Sequence, residues 1–439
     1  MTAIATSAAV GVDPVDELRD WLEENWDPDL TVGEWWERLG LAGWANPILP
    51  PDCFGRGLAR GDVVRVAGEI ARFGALGAPA GIGLNLAAPT IATHGTPEQI
   101  DGFLRDIVTG QRAWCQLFSE PGAGSDLAGL STRAVKDGDE WIVNGQKVWT
   151  SGGHRADLGM LLARTNPEAP KHQGITWFVL DMHQPGVEVR PLKEMTGQTA
   201  FSEVFFTDAV VPDTSRIGDL NNGWTVANTT LAFERSGMGA GGQNRRGMLA
   251  AWPGTVAGDL GKRVGDVVPR TGRERGAQDG RTSPAQQFIN LARESGRNAE
   301  PAIRQRLVQA HILGTLTRLT AERHKAVRAA GGDIPGVANF SKLAMAHILR
   351  HNRDLGMELL GARGMLHAYD PAGRAQLAEE VGGVAAGEIT AQALGAQALP
   401  IFGGTDQIQR NIIGERVLGL PKEPGDLAQV PFNQLPKNG

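Results

Sequence analysis

The sequence predicts an α+β protein: helices, then a compact all-β insert, then helices again. Two observations carry this. Apolar residues recur at helical spacing up to about residue 112 and again from about 219 to Leu420, while between 113 and 218 the pattern shortens to that of strands. Pro, Gly and Asp clusters punctuate the chain between these segments. The expected domains are 1–112 (helical), 113–218 (β) and 219–439 (helical bundle).

The elements follow in order. Helices are expected over 14–26, 31–41 and 61–76, with a Pro/Gly turn at 47–51. Strands are expected over 131–136 and 141–144, joined by a hairpin at Asp137-Gly138-Asp139. Asn144-Gly145 reads as a second hairpin turn ahead of a strand at 147–150. Further strands fall at 160–164, 176–180, 187–190 and 204–206. Residues 252–300 break the last helical stretch. They are rich in Gly, Arg, Asp and Pro, so 254–280 reads as a long loop.

At 439 residues, length alone suggests two to four domains and an ample core. A formal charge of −6 gives no basic footprint for nucleic acid. Two cysteines, Cys53 and Cys115, form neither a disulfide framework nor a zinc motif, which fits a reducing cytoplasm. The first ten residues lack the basic start of a signal peptide, and no apolar run is long enough for a membrane span. His347 and His351 have metal-ligand spacing on a helix. Ile348 stands where a zinc protease needs Glu and no third ligand is evident, so no metal is expected.

Three motifs carry candidate chemistry. Gln116-Leu-Phe-Ser-Glu-Pro-Gly-Ala-Gly-Ser-Asp126 leaves a strand through a Gly-rich bend. Val148-Trp-Thr-Ser-Gly-Gly153 ends another strand with an indole beside small polar residues. In Ile401–Arg410, two glycines run into a helix with Thr405 as N-cap and Asp406 in its first turn. Gly403 and Gly404 permit close approach to the backbone, and N–H groups at a helix start suit a carbonyl oxygen or a phosphate. Taken singly, each motif also has a purely structural reading: a tight loop, a core indole, a helix start. Glu234 is a further candidate. Trp224, Ala227, Leu231 and Met238 share a helical face, and Glu234 and Arg235 fall within or beside it. A carboxylate on such a face is costly unless paired or used, and a Glu234–Arg235 pair is the plain alternative.

Together and in this order, these residues resemble the acyl-CoA dehydrogenase family along nearly the whole chain. The resemblance rests on Ser119-Glu-Pro-Gly-Ala-Gly-Ser-Asp126, Asn144-Gly-Gln-Lys147, Trp149-Thr-Ser151, Leu359-Leu-Gly-Ala-Arg-Gly364 and Gly404-Thr-Asp-Gln-Ile-Gln-Arg410. It implies an N-terminal helical domain, a middle β-barrel-like domain and a C-terminal four-helix bundle, with FAD at their junction. It implies an acyl-CoA thioester substrate, electron-transfer flavoprotein or a similar acceptor, a role in fatty acid or lipid metabolism, and a homotetramer or a related heteromeric assembly.

The resemblance also implies a site. Phe118 and Ser119 would meet the pyrimidine end of the flavin, Trp149 would pack on the ring, and Ser151 would bond near N5. Ser125 would contact FAD phosphate and substrate. Thr405 and Gln407 would hold the ribose and adenine side, and Glu358 and Gly361 the adenosine half bound to a neighbouring subunit. Gln116 stands where the family often has Tyr, and Glu358 where it more often has Gln. The Arg-x-x-Phe-Gly element that clamps a neighbour's FAD pyrophosphate is missing from 252–300. Gly403 occupies the position of the family's common catalytic Glu, so that base is absent. A subset of the family carries it instead at the position of Glu234, with Arg235 beside it toward substrate. The Gly403 N–H would remain as a donor to the thioester oxygen. Two other functions stay open: a flavin monooxygenase on the same fold, and a weakly catalytic subunit that supports an active partner.

Overall fold

The computed structural model describes residues 12–239, 260–268, 284–380, 384–422 and 427–436. Its N-terminal region is helical, with helices at Pro14–Asn25, Val32–Leu41 and Arg60–Phe73. Local chemistry starts the first two. Asp13 Oδ1 accepts from Val15 N, and Thr31 with Glu34 forms a reciprocal capping box. Two tryptophans lock the second helix to the turn after the third: Trp35 Nε1 donates to Leu76 O at 2.7 Å and Trp36 Nε1 to Gly77 O at 2.9 Å. Satisfying each indole N–H in this way lets both rings be buried.

The middle region is one eight-stranded sheet: β1 (Trp114–Leu117), β2 (Arg133–Asp137), β3 (Glu140–Ser151), β4 (Leu158–Arg164), β5 (Ile175–Asp181), β6 (Val187–Leu192), β7 (Phe201–Pro212) and β8 (Arg216–Ile217). The order is β6-β7-β3-β2-β4-β5-β8, with β1 parallel to β4. The Asp137–Asp139 turn joins antiparallel β2 and β3 as expected. The expected hairpin at Asn144-Gly145 is not formed. β3 runs straight through as a single strand with a register irregularity between Val143 and Gly145 against β7. Gly145 supplies a φ of +151°, and Asn144 bonds across to Asp208, its Nδ2 donating to Oδ1 at 2.9 Å. Asn-Gly favours left-handed backbone, which serves a bulge as well as a turn.

The C-terminal region is helical, with long helices at Pro301–Ala329 and Val337–Leu360 and shorter ones including Pro284–Glu294, Val384–Gly395 and Asp406–Ile412. Its core gathers Phe288, Leu291, Ile303, Leu307, Leu355, Leu359 and Ile389. The helix Gly223–Gly239 links sheet and bundle, packing on β5 and on Val337–Leu360. Most of the stretch expected as a long loop at 254–280 lies outside the described residues. Residues 260–268 within it are not free loop: they dock on the N-terminal region. Gly33 N donates to Leu260 O and Val264 N to Leu30 O, and the Val264 side chain is fully buried. No described helix is long and apolar enough to cross a membrane.

Candidate active site

β1 and the helix Gly223–Gly239 bring the first pair of expected residues together. Gln116 Nε2 lies 3.4 Å from Glu234 Oε2 and donates to it. One turn before Glu234, this helix is fixed against the N-terminal region. Thr230 Oγ1 is 2.9 Å from Thr90 Oγ1, and Thr229 Oγ1 is 2.8 Å from His94 Nε2. Glu234 follows Thr230 by four residues and so shares its side of the helix. Both Gln116 and Glu234 are half-buried. The Arg235 side chain lies outside the described residues.

β1 runs on into Phe118 and Ser119, and Val148 N donates to Ser119 O at 2.9 Å, joining this loop to β3. There β3 is irregular again, between Lys147 and Thr150. Plain alternation would give Lys147 and Trp149 the same face. Instead Trp149 adopts a φ of +61°, and its ring is 61% exposed while Lys147 and Thr150 are fully buried. A bulky residue in left-handed backbone is strained. The exposed indole rests edge-on against Phe201, ring centroids 5.9 Å apart. Ser119 and Ser151 are half-buried, and their hydroxyls have no hydrogen-bond partner among the described residues. An indole held out under strain beside two unsatisfied hydroxyls fits a planar, polar-edged group such as a flavin.

Beneath this surface lies an ion pair that sequence reading missed. Lys147 Nζ donates to Glu120 Oε1 at 2.8 Å and to Phe118 O at 3.0 Å. Glu120 also accepts from Ser131 N and Oγ and from Thr132 N. Burial pushes the Glu120 carboxyl up, but the Lys147 charge and these donors outweigh it and hold it at about 2. Burial pushes Lys147 down, against the pull of Glu120. No local signal in the sequence marks this pair, since its two residues lie 27 positions apart.

Ser125 is exposed in the Gly-rich loop, where the neighbouring Asp126 pairs with Lys171 at 2.8 Å. The Ile401–Arg410 motif forms as expected. Thr405 caps Asp406–Ile412, its Oγ1 accepting from Ile408 N at 3.2 Å, and Gly403 and Gly404 have φ of +63° and +81°. Asp406 does more than meet the helix dipole. It is buried between Lys342 Nζ at 3.1 Å and Arg350 at 3.0 Å, and those two cations overcome burial to keep its carboxyl low. Gln407 is exposed. Glu358 pairs with Arg306, not with a β-domain residue, and Gly361 ends the same helix facing open space. His351 Nε2 is 3.0 Å from Arg306 O, and among the described residues there is no group of three metal-ligating side chains.

Sequence models of the acyl-CoA dehydrogenase N-terminal, middle and C-terminal domains match residues 12–111, 115–209 and 283–418. Acyl-CoA dehydrogenase IpdE1 of Mycobacterium tuberculosis is 36% identical over 392 residues, spanning 89% of this chain and 88% of that protein. The chain belongs to the acyl-CoA dehydrogenase family. It is thereby an oxidoreductase of the acyl-CoA dehydrogenase type. IpdE1 of Mycolicibacterium smegmatis is 33% identical over 437 residues, 93% of this chain and 97% of that one. Acyl-CoA dehydrogenase FadE34 of M. tuberculosis is 38% identical, but the chain spans only 39% of its length. Among solved structures, the Tcur3481-Tcur3483 steroid ACAD matches with a TM-score of 0.64 at 26% identity, over 93% of this chain and 97% of that one. The ChsE4-ChsE5 complex from M. tuberculosis matches with a TM-score of 0.62 at 26% identity, over 94% and 100%. The expected fold class, a helical region, a β region and a second helical region in that order, thus holds. Glu234 falls between the matched middle and C-terminal segments, outside all three.

Proposed function

We propose that this acyl-CoA dehydrogenase forms the trans-2-enoyl thioester from an acyl-CoA thioester, with FAD as cofactor and Glu234 as base. The observation that carries this reading is the Glu234–Gln116 contact. It sets a carboxylate beside the strand that leads directly into Phe118 and Ser119. In this reading Glu234 takes the α-proton onto a carboxylate oxygen, and Gln116 holds that carboxylate by its amide. The bound flavin supplies the acceptor for the β-hydride. Gly403 contributes only its backbone N–H, which stabilises the thioester oxygen as negative charge develops.

The remaining residues bind and orient. Trp149 packs on the flavin, and Ser119 and Ser151 bond its edge with their otherwise unpartnered hydroxyls. Phe118 main chain, held from below by Lys147, faces its pyrimidine end. Ser125 and Arg235 serve substrate, with Ser125 also at the FAD phosphate. Thr405 and Gln407 serve the ribose and adenine side, and Glu358 and Gly361 the adenosine half of a neighbouring subunit's FAD.

The substrate class is a bulky, ring-bearing acyl-CoA. With no side chain at 403 and the base on a helix, room is left where many family members place a carboxylate. The similarity to a structure described as a steroid ACAD supports the same reading. The assembly is an oligomer with a second acyl-CoA dehydrogenase-like chain, in the cytoplasm, delivering electrons to electron-transfer flavoprotein or a similar acceptor. Similarity to a two-component complex supports this. So does an apolar stripe on helix Pro301–Ala329, where Val308, Ile312, Leu316 and Leu319 are 42–55% exposed.

The test is anaerobic titration of the flavin-loaded protein with acyl-CoAs from short to steroid-like. Bleaching by the bulky members supports the reading. No bleaching by any member, with oxygen-dependent hydroxylation of product instead, replaces it with the monooxygenase alternative.

A further inference from the structure

The Gly403-Gly404 turn raises a physical problem. Glycine visits positive and negative φ almost equally, so two in succession do not hold one shape unaided. Yet the proposed role of this turn requires a fixed N–H direction. The structure shows what holds the turn that carries it. Gln409, in the helix that follows, is buried, 2% exposed. Its Nε2 donates to Gly403 O at 3.0 Å and to Gly404 O at 3.3 Å. Its Oε1 accepts from Asn339 Nδ2 at 2.7 Å. Carbonyl oxygens only accept, so the nitrogen of Gln409 must face the turn and its oxygen must face Asn339. The amide can therefore not flip without losing all three bonds.

Two successive peptide planes are tied by this one side chain. Each peptide is planar and trans, so fixing a carbonyl also fixes the N–H on its far side. With the oxygens of 403 and 404 held toward Gln409, the N–H groups of Gly404 and Thr405 point away from it. Those of Gly403, Gly404 and Thr405 have no acceptor among the described residues. A Cβ at Gly404 would lie 2.7 Å from Gln409 Nε2 and would push that amide off the turn, and the φ of +81° disfavours a side chain there as well. The buried Asp406, gripped by Lys342 and Arg350, anchors the base of the same turn.

We propose that Gln409, backed by Asn339, is the positioning residue of the thioester-oxygen site. It touches no substrate. It acts by holding the peptide planes that follow Gly403 and Gly404, and so the turn from which the Gly403 N–H projects. This rests on the reading above, in which that N–H meets the thioester oxygen.

The test uses the flavin-loaded, assembled protein and Gln409→Met, which keeps the volume but cannot donate. The probe is a 3-oxoacyl-CoA, whose bound enolate gives a long-wavelength absorbance band and so reports stabilisation of the oxygen without turnover. We expect Gln409→Met to keep its flavin content and probe affinity within about threefold. The enolate fraction should fall about tenfold or more, and kcat for dehydrogenation should drop about 10–100-fold with little change in KM. Amide hydrogen exchange over 401–406 should quicken, with or without flavin bound. Asn339→Ala should show the same pattern more weakly, and it stands in if Gln409→Met does not fold. An undiminished enolate band in a folded variant overturns the proposal alone. A wild-type protein that binds the probe and forms no enolate overturns the underlying reading, and the proposal falls with it.

Discussion

Replacing Lys147 by Met removes the charge that lies beneath the proposed flavin surface while keeping its volume. Lys147 is fully buried and Glu120 is 6% exposed, so neither can turn to water. Breaking a buried pair by removing one partner costs about 3–5 kcal/mol, because an uncompensated charge remains. Here the cost has a ceiling. Glu120 can escape by taking a proton, and at pH 7, from an ordinary carboxylate value of 4.5, that costs about 3.4 kcal/mol. The ceiling falls by about 1.4 kcal/mol per pH unit, to about 1.4 kcal/mol at pH 5.5. Ser131 and Thr132 remain as donors, which places the expected loss just below the ceiling. The assay is guanidinium unfolding of both proteins at pH 7 and pH 5.5, followed by tryptophan fluorescence. The gap between wild type and variant should be about 3 kcal/mol at pH 7 and should more than halve at pH 5.5. A gap below about 1 kcal/mol at pH 7, or one that does not shrink, would refute the reasoning. In the wild type the sign runs the same way. The folded carboxyl is held down at about 2, so its stabilisation is full above 4.5 and is lost as pH falls through about 2. The desolvated Lys147 offsets some of it, so the net worth of the pair is smaller than the carboxylate's share.

Two further outcomes are expected. At Trp149 the usual ranking of Gly below Ala should invert, because the backbone φ is +61°. Trp149→Gly should be more stable than Trp149→Ala by about 1 kcal/mol in the flavin-free protein, with both retaining less flavin; thermal melts showing Ala ahead would contradict this. Asp406→Ala strands the buried Lys342 cation and should cost about 3 kcal/mol, less than the upper range because Arg350 is 36% exposed and can turn to solvent. A melting temperature close to wild type would count against the buried triad.

The large-scale organisation was legible because it is written in local chemistry. Helices expected at 14–26, 31–41 and 61–76 form at Pro14–Asn25, Val32–Leu41 and Arg60–Phe73, where capping groups and Gly74 set the ends. Thr405 likewise caps its helix through a bond three residues long. The misread turn at Asn144-Gly145 is a case where local preference is ambiguous. The Asn-Gly pair suits a hairpin turn and a bulge alike, and only the partner strand β7 decides. What the sequence could not display are contacts between distant residues. Glu120 meets Lys147 across 27 positions, Lys342 meets Asp406 across 64, and Gln116 meets Glu234 across 118. The docking of 260–268 was hidden for a different reason. Its composition is that of a loop, yet buried Val264, partly buried Leu260, Val267 and Val268, a few backbone bonds and the Arg263–Asp29 ion pair tie it down.

The base assignment is tested most directly by Glu234→Gln, followed by anaerobic stopped-flow reduction of the bound flavin with a substrate that bleaches the wild type. The side chain keeps its shape and its contact with Gln116 but can no longer accept the α-proton. Flavin content and acyl-CoA binding should stay near wild type, while the rate of flavin reduction should fall by about 10²–10⁴-fold. Reduction at close to the wild-type rate would mean that Glu234 is not the base.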